Sequence, residues 1–188
     1  MCGRYYVASE DQTEELRAII EELQRRAKEP VKTGEVFPSE TAPVIANNRA
    51  GKPMPFAMRW GFSLNDALII NARSETADQK PLYRDSMARR RCLIPASYYF
   101  EWEKRKNDKV KYAIGAGKMI YMAGLYRMED NGPVFSILTR EASDPIAFIH
   151  DRMPVLLPTN LHAAWLANES NPIELLNEAV RDVQFKIA

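Results

Sequence analysis

The residue with the richest chemistry stands at position 2, where Cys2 is followed by Gly3 and Arg4. Initiator methionine is generally removed when the next side chain is small. Loss of Met1 would leave Cys2 with an α-amine and a thiol on adjacent carbons. Such an amine titrates near about 7.7–8.0, against about 10.4 for a lysine, so a sizeable fraction is nucleophilic at neutral pH. The thiol, about 8.5 when unperturbed, is expected to ionise more readily beside the Arg4 cation. A 1,2-aminothiol attacks one electrophilic carbon twice. The amine forms a Schiff base with an aldehyde. The neighbouring sulfur then closes a five-membered thiazolidine, helped by its fixed proximity. The plainer alternative is a small residue at a frayed chain end.

Other stretches carry groups that could serve this chemistry. Glu101 is embedded in Tyr98-Tyr99-Phe100-Glu101-Trp102. Desolvation there would raise its pKa and let it pass protons near neutral pH. A strand-end carboxylate paired to a nearby arginine fits the same residues, and the local sequence leaves both open. His150 lies in Ile149-His150-Asp151-Arg152-Met153-Pro154, after Asp144-Pro145 has started a short helix. A helix end favours the charged imidazole, whereas a lone histidine is ordinarily a packed or surface group. The run Arg89-Arg90-Arg91 reads as a solvated face or, less readily, as a phosphate-facing edge. Only Cys2, Cys92, His150 and His162 supply thiols or imidazoles, with no pair at metal-ligand spacing, so no metal site is expected.

The totals narrow the class. A chain of 188 residues with 46% apolar residues can bury one sizeable core, so a single domain over 1–188 is expected. Its 26 basic and 25 acidic residues nearly cancel, which argues against a bulk polybasic nucleic-acid binder. No apolar run is long enough to span a membrane, and no secretory signal is visible. Two thiols without a pairing pattern fit a reducing, cytoplasmic setting.

The elements that must position these residues are short. A helix is predicted from Asp11 to Ala27, with Ser9 and Gln12 as a capping box and Leu16, Ile19, Ile20 and Leu23 on one face. Strands are predicted at Ala42–Ala46, Phe56–Phe62, Leu68–Ala72, Lys111–Ala116, Met119–Tyr126, Val134–Thr139 and Val155–Leu157. Turns fall at Asn47–Gly51, Asn107-Asp108 and Glu129–Gly132. Helices are predicted at Thr159–Ala167 and from Asn171-Pro172 onward. Turn-linked strands with helices at both ends argue for an α+β fold with a curved or barrel-like mixed sheet.

Taken in order, Cys2-Gly3-Arg4, Trp60-Gly61, Asn71-Ala72-Arg73-Ser74-Glu75-Thr76, Arg90-Arg91-Cys92-Leu93-Ile94-Pro95, Phe100-Glu101-Trp102 and Ile149–Pro154 resemble the SOS response-associated peptidase family, the abasic-site processing proteins. The resemblance runs from Met1 to about Trp165. It implies a bifurcated or barrel-like mixed sheet wrapped by helices. It also implies a DNA-repair enzyme that crosslinks its N-terminal cysteine to abasic sites in single-stranded DNA as a thiazolidine. Reversal, a strand-lyase side path and self-removal of Met1 follow from it. The nucleophile falls on Cys2, the adduct-binding asparagine on Asn71, the proton-handling glutamate on Glu101 and the histidine on His150. Arg4, Arg73 and Arg152 match phosphate and strand contacts, and Trp102 and Pro38 match DNA-facing positions. Neither a metal nor an organic cofactor is implied, and a monomer is expected. Many members carry an aromatic loop between the Trp-Gly and Asn-Ala-Arg motifs, but here Phe62–Ala67 is short and has no tryptophan.

Rival readings use the same residues. An N-terminal-nucleophile thiol amidohydrolase needs a free Cys2 whose amine acts as base, and would place it in a four-layer sandwich. A non-catalytic single-strand binding module needs the arginines but not the thiol.

Overall fold

The computed structural model describes residues 2–7, 14–26, 30–106, 108–117 and 119–188. Met1, the Ser9–Gln12 cap, both expected ends of the first helix and Asn107 lie outside the described residues. In chain order the elements are β1 (Tyr5–Val7), α1 (Glu14–Arg26), β2 (Gly34–Val36), β3 (Thr41–Asn47), β4 (Pro53–Trp60), β5 (Phe62–Leu64), β6 (Ala67–Ile69) and β7 (Asn71–Arg73). They continue as α2 (Arg84–Arg89), β8 (Arg91–Ala96), β9 (Tyr98–Lys104), β10 (Lys109–Gly115), β11 (Ile120–Glu129), β12 (Gly132–Glu141), β13 (Arg152–Pro154), α3 (His162–Leu166), α4 (Pro172–Asn177) and β14 (Gln184–Ile187).

The architecture is the expected α+β fold built on a barrel-like mixed sheet. Strands β11, β8, β3, β4 and β12 pair in that order, and β12 pairs back to β11, closing a ring. All of these pairings are antiparallel except β4 with β12. The ring opens along β12, whose first half lies between β4 and β11 and whose second half lies between β7 and β13. A second, five-stranded sheet runs β14-β10-β9-β1-β2. Neither sheet belongs to the four-layer sandwich of the amidohydrolase reading.

Side-chain alternation along β12 divides the interior. Phe135 and Ile137 join a core with Cys2, Tyr5, Leu16, Ile20 and Trp60, which the five-stranded sheet and α1 help to cover. Val134 and Leu138 face the other way, into a core with Met87, Trp165 and Leu166 from α2 and α3. On α1, Leu16, Ile20 and Leu23 are buried, with Glu14 and Glu15 in the first turn and Arg25 and Arg26 in the last, as the helix dipole favours. Among the described residues no helix is long and apolar enough to cross a membrane.

Several expected elements are corrected. Phe56–Phe62 is not one strand, because Gly61 adopts φ +117 and turns the chain between β4 and β5. A Cβ there would also meet the Leu68 side chain at 2.4 Å, and this φ is one that L side chains rarely adopt, so substitution of the Trp-Gly glycine is strained. Leu68–Ala72 is likewise split into β6 and β7. Val155–Leu157 forms no strand of its own. Its amides bond alternately to Leu138 and Tyr121, stitching β12 to β11 where the two diverge. Thr159–Ala167 is a 3-10 turn followed by α3, and Asp144–Ile146 is a single 3-10 turn. Arg91 fits neither reading of the arginine run, being 3% exposed. Its guanidinium donates to the carbonyls of Trp165, Met87 and Ala167, tying α2 and α3 to β8.

Candidate active site

Cys2 lies just before β1, where the five-stranded sheet meets β7 beside the opening of the ring. Its side chain is fully buried, and Sγ donates to the Arg4 carbonyl at 3.8 Å. Burial, and after it the negative charge of Glu101, pushes the thiol up to about 12. The expectation that Arg4 would ease ionisation is therefore corrected. The Arg4 guanidinium reaches away from the sulfur, pairing with Glu35 at 3.2 Å and lying 4.1 Å over the Phe37 ring. Burial dominates because removing a thiolate from water costs more than a remote cation returns.

Asn71 opens β7, the strand that runs parallel to the second half of β12. Its Nδ2 donates to the Cys2 carbonyl at 2.8 Å, so the ring sheet holds the residue that leads into the other sheet. The Asn71 Oδ1 is buried without a hydrogen-bond partner among the described residues. Trp60 fixes this junction. Its indole donates to the carbonyl of Ile70 at 3.0 Å, and its ring sits 5.1 Å from Tyr5. Tyr83 adds a hydroxyl to the Asn71 carbonyl at 3.3 Å.

Glu101 points inward from β9, 6% exposed, directly opposite Tyr112. Its strand is registered on β1 by the Tyr5–Tyr99 pair. Burial raises its pKa, opposed in part by His150. Glu101 lies within β9 rather than at a strand end, and its carboxyl is desolvated.

His150 lies in the short link between the turn after the 3-10 segment and β13, so no helix end carries it. Its Nδ1 is 3.0 Å from the Arg152 amide and 2.6 Å from Asp151 Oδ1. An Nδ1 lone pair accepts from the amide, whereas an Nδ1–H donates to the carboxylate, so the two contacts suit different placements of the ring proton. The Cys2 and Glu101 charges act on each other, as do those of Glu101 and His150. Asn71 of β7 and Glu101 of β9 thus meet Cys2 from the segment before β1 and His150 from the segment before β13.

The expected strand contacts fall into different situations. Arg73 is exposed on β7. Arg152 is held by Glu75 through two bonds of 2.6 and 2.9 Å and by the Thr139 carbonyl at 2.7 Å. That pairing lowers the Glu75 pKa. Trp102 lies on the outer face of β9, 5.1 Å from the Arg4 guanidinium. Pro38 sits in a turn between β2 and β3, beside Ser39 at φ 72. Sequence reasoning missed Tyr5 and Tyr99, whose hydroxyls are buried without hydrogen-bond partners among the described residues. It also missed Lys111 and Glu35, considered below. Nothing in their local sequence marks them, because only strand pairing brings them to the site.

A family model described as SOS response associated peptidase (SRAP) matches residues 1–187. The abasic site processing protein YoqW of Bacillus subtilis is 32% identical over 187 residues, covering 88% of this chain and 80% of that protein. The abasic site processing protein YedK of Escherichia coli is 26% identical over 181 residues, covering 90% and 81%. A crystal structure of a protein from Bacteroides thetaiotaomicron shares the fold, with a TM-score of 0.80 at 22% identity over 99% of this chain and 91% of that one. The motif order, the sheet that divides along β12 and these matches agree: the chain belongs to the SOS response-associated peptidase family.

Proposed function

We propose that this protein acts in DNA repair by trapping the aldehyde of an abasic site in single-stranded DNA on Cys2, once Met1 is removed, with no metal or organic cofactor. The observation that carries this reading is the 2.8 Å bond from Asn71 to the Cys2 carbonyl. It holds a potential aminothiol beside a desolvated carboxyl, and a buried acceptor, Asn71 Oδ1, is left for the nitrogen that reacts.

The chemistry follows from the two raised pKa values. The protonated thiol is a poor first nucleophile, so the amine attacks the aldehyde carbon. Glu101, protonated at a higher pH than an ordinary carboxyl, gives its proton to the carbinolamine hydroxyl, which leaves as water. The resulting iminium is a cation beside Sγ and reverses the electrostatics that kept the thiol neutral. The Glu101 carboxylate takes the thiol proton as sulfur attacks the same carbon. The ring closes, Glu101 regains its proton, and water is the sole product released. His150 supports the charged intermediates and offers a second site for a proton. Opening the ring by the reverse steps restores the aldehyde, and proton loss next to the iminium carbon gives β-elimination. Removal of Met1 is the peptidase-like event that this reading requires. Arg4, Arg73 and Arg152, with Trp102 and Pro38, bind the strand, and one domain over 1–188 acts as a monomer.

The test is to incubate Met1-free protein with abasic and intact single strands and denature by heat. A shifted band with the abasic strand alone supports the reading, and its absence with Cys2→Ala assigns it to the sulfur. Borohydride should still trap a Schiff base in Cys2→Ala, because imine formation needs only the amine. A full-strength heat-stable band from Cys2→Ala without reductant overturns the thiazolidine.

A further inference from the structure

Strand pairing places a second charged group beside the candidate site, on the outer face of the five-stranded sheet. β2 pairs with β1, setting Glu35 opposite Tyr6, and β10 pairs with β9, setting Lys111 opposite Trp102. A single carboxylate oxygen, Glu35 Oε1, is 2.7 Å from Lys111 Nζ and 3.2 Å from Arg4 Nη1. The cations also lie on aromatic rings. Lys111 is 3.7 Å over Phe100 and 5.8 Å from Trp102, while Arg4 is 4.1 Å over Phe37 and 5.1 Å from Trp102. Burial alone would raise the Glu35 pKa, but Lys111 and Arg4 outweigh it and lower it, so Glu35 is an anion at neutral pH.

One oxygen held between an ammonium and a guanidinium reproduces how a non-bridging phosphate oxygen is bound. The Arg4 Nε has no hydrogen-bond partner among the described residues, so the bond to Glu35 does not saturate the guanidinium, and the side chain stays 30% exposed. Phosphate offers more acceptor oxygens than the carboxylate and stays charged. Phe37 is exposed and Trp102 half-buried, so aromatic surface lies beside the two cations for bases of a flexible strand to contact. Glu35 sits on a three-residue strand and is half-buried, so it can yield to solvent without disturbing the core.

We propose that Arg4 and Lys111 form a backbone-phosphate subsite for the strand flanking the reactive sugar, and that Glu35 occupies this subsite until a phosphate displaces it. The inference rests on the single-strand reading above. It assigns Lys111 to strand binding and Glu35 to its restraint, so Glu35 tunes the protein against gripping undamaged strands.

The experiment is fluorescence anisotropy with a labelled, undamaged single strand over a salt series. Glu35→Gln keeps the shape and removes the charge, and should tighten binding about threefold to tenfold at low salt. Glu178→Gln, an exposed change of equal charge outside the site, should give a distinctly smaller gain. Lys111→Met should weaken binding and flatten the log–log salt slope by about 0.7, one single-strand contact. In the Lys111→Met background most of the Glu35→Gln gain should vanish. Weaker binding by Glu35→Gln, a gain equal to that of Glu178→Gln, or an undiminished gain without Lys111 overturns the proposal. Should Glu35→Gln fail to fold by thermal melt, the Lys111→Met slope decides alone, and an unchanged slope overturns it. Adduct formation by the wild type with an abasic strand tests the underlying reading separately. A wild-type adduct with no Glu35 effect sinks the subsite alone, and no adduct in any variant sinks the trapping reaction.

Discussion

The buried thiol of Cys2 makes a quantitative prediction about alkaline stability. In the folded chain its pKa rises from an ordinary 9.0 to about 12. A raised folded value means that the stabilisation is fully present below the unfolded pKa. It is lost as pH climbs through the folded one. Between about pH 7.5 and about pH 10.5 the unfolded chain releases the Cys2 proton while the folded chain keeps it. At about 1.36 kcal/mol per unit over roughly 1.5 units, the wild type loses about 2 kcal/mol that a chain without the thiol does not lose. The perturbation is Cys2→Ala, and the assay is urea unfolding of both proteins across that range. The lost sulfur packing shifts Cys2→Ala by a constant, and the other titrating groups, Cys92 included, are common to both proteins. The difference between the two stabilities should therefore be flat to about pH 8.5 and then swing in favour of Cys2→Ala. Parallel curves, agreeing within about 0.5 kcal/mol throughout, would show that Cys2 is not held protonated by burial. The amine-first order of attack would lose its basis.

Other outcomes follow from the same geometry. Glu101→Gln should slow adduct formation and reversal while leaving affinity for undamaged strands near the wild type. Because the Glu101 pKa is raised by burial, the variant should also be the more stable at neutral pH, with the advantage fading as pH falls through the carboxyl range. Tyr99→Phe should raise stability by about 1 kcal/mol in thermal or urea unfolding, since it removes a buried hydroxyl without a partner among the described residues. Arg73→Ala should flatten the salt slope of strand binding by about 0.7. Arg152→Ala should cost about 2 kcal/mol of folding stability through its lost bonds to Glu75 and Thr139. Equal unfolding midpoints for the two arginine variants would contradict the distinction.

What was legible in the sequence was local. The apolar face of α1, the turns at Asn48 and Gly132 and the α+β class follow from periodicity and turn chemistry. Cys2, Asn71, Glu101 and His150 were legible as motifs, and the structure brings them together. What was hidden depends on partners distant in sequence. β1, β2 and β14 are too short for a period to show: β1 and β14 pair with the two edges of the β9–β10 hairpin, and β2 pairs with β1. Arg91 looked like part of a solvated run, because two of the carbonyls that hold it, those of Trp165 and Ala167, arrive from 74 and 76 residues on. Arg4 looked like a partner for the thiol, because adjacency in sequence conceals that its side chain turns to Glu35 on the outer face. Val155–Leu157 reads as a strand by composition, but its amides alternate between two diverging neighbours.

The central claim is that the α-amine of Cys2 is the attacking group. While Met1 is attached, that nitrogen belongs to a planar, delocalised peptide bond and is a poor nucleophile. The sulfur alone could form only a reversible hemithioacetal. The direct measurement is intact-mass spectrometry after separating one preparation into fractions with and without Met1 and giving each an abasic single strand. The account predicts a covalent adduct, heavier by the strand less one water, in the Met1-free fraction alone. Equal adduct formation by the fraction that retains Met1 would contradict it.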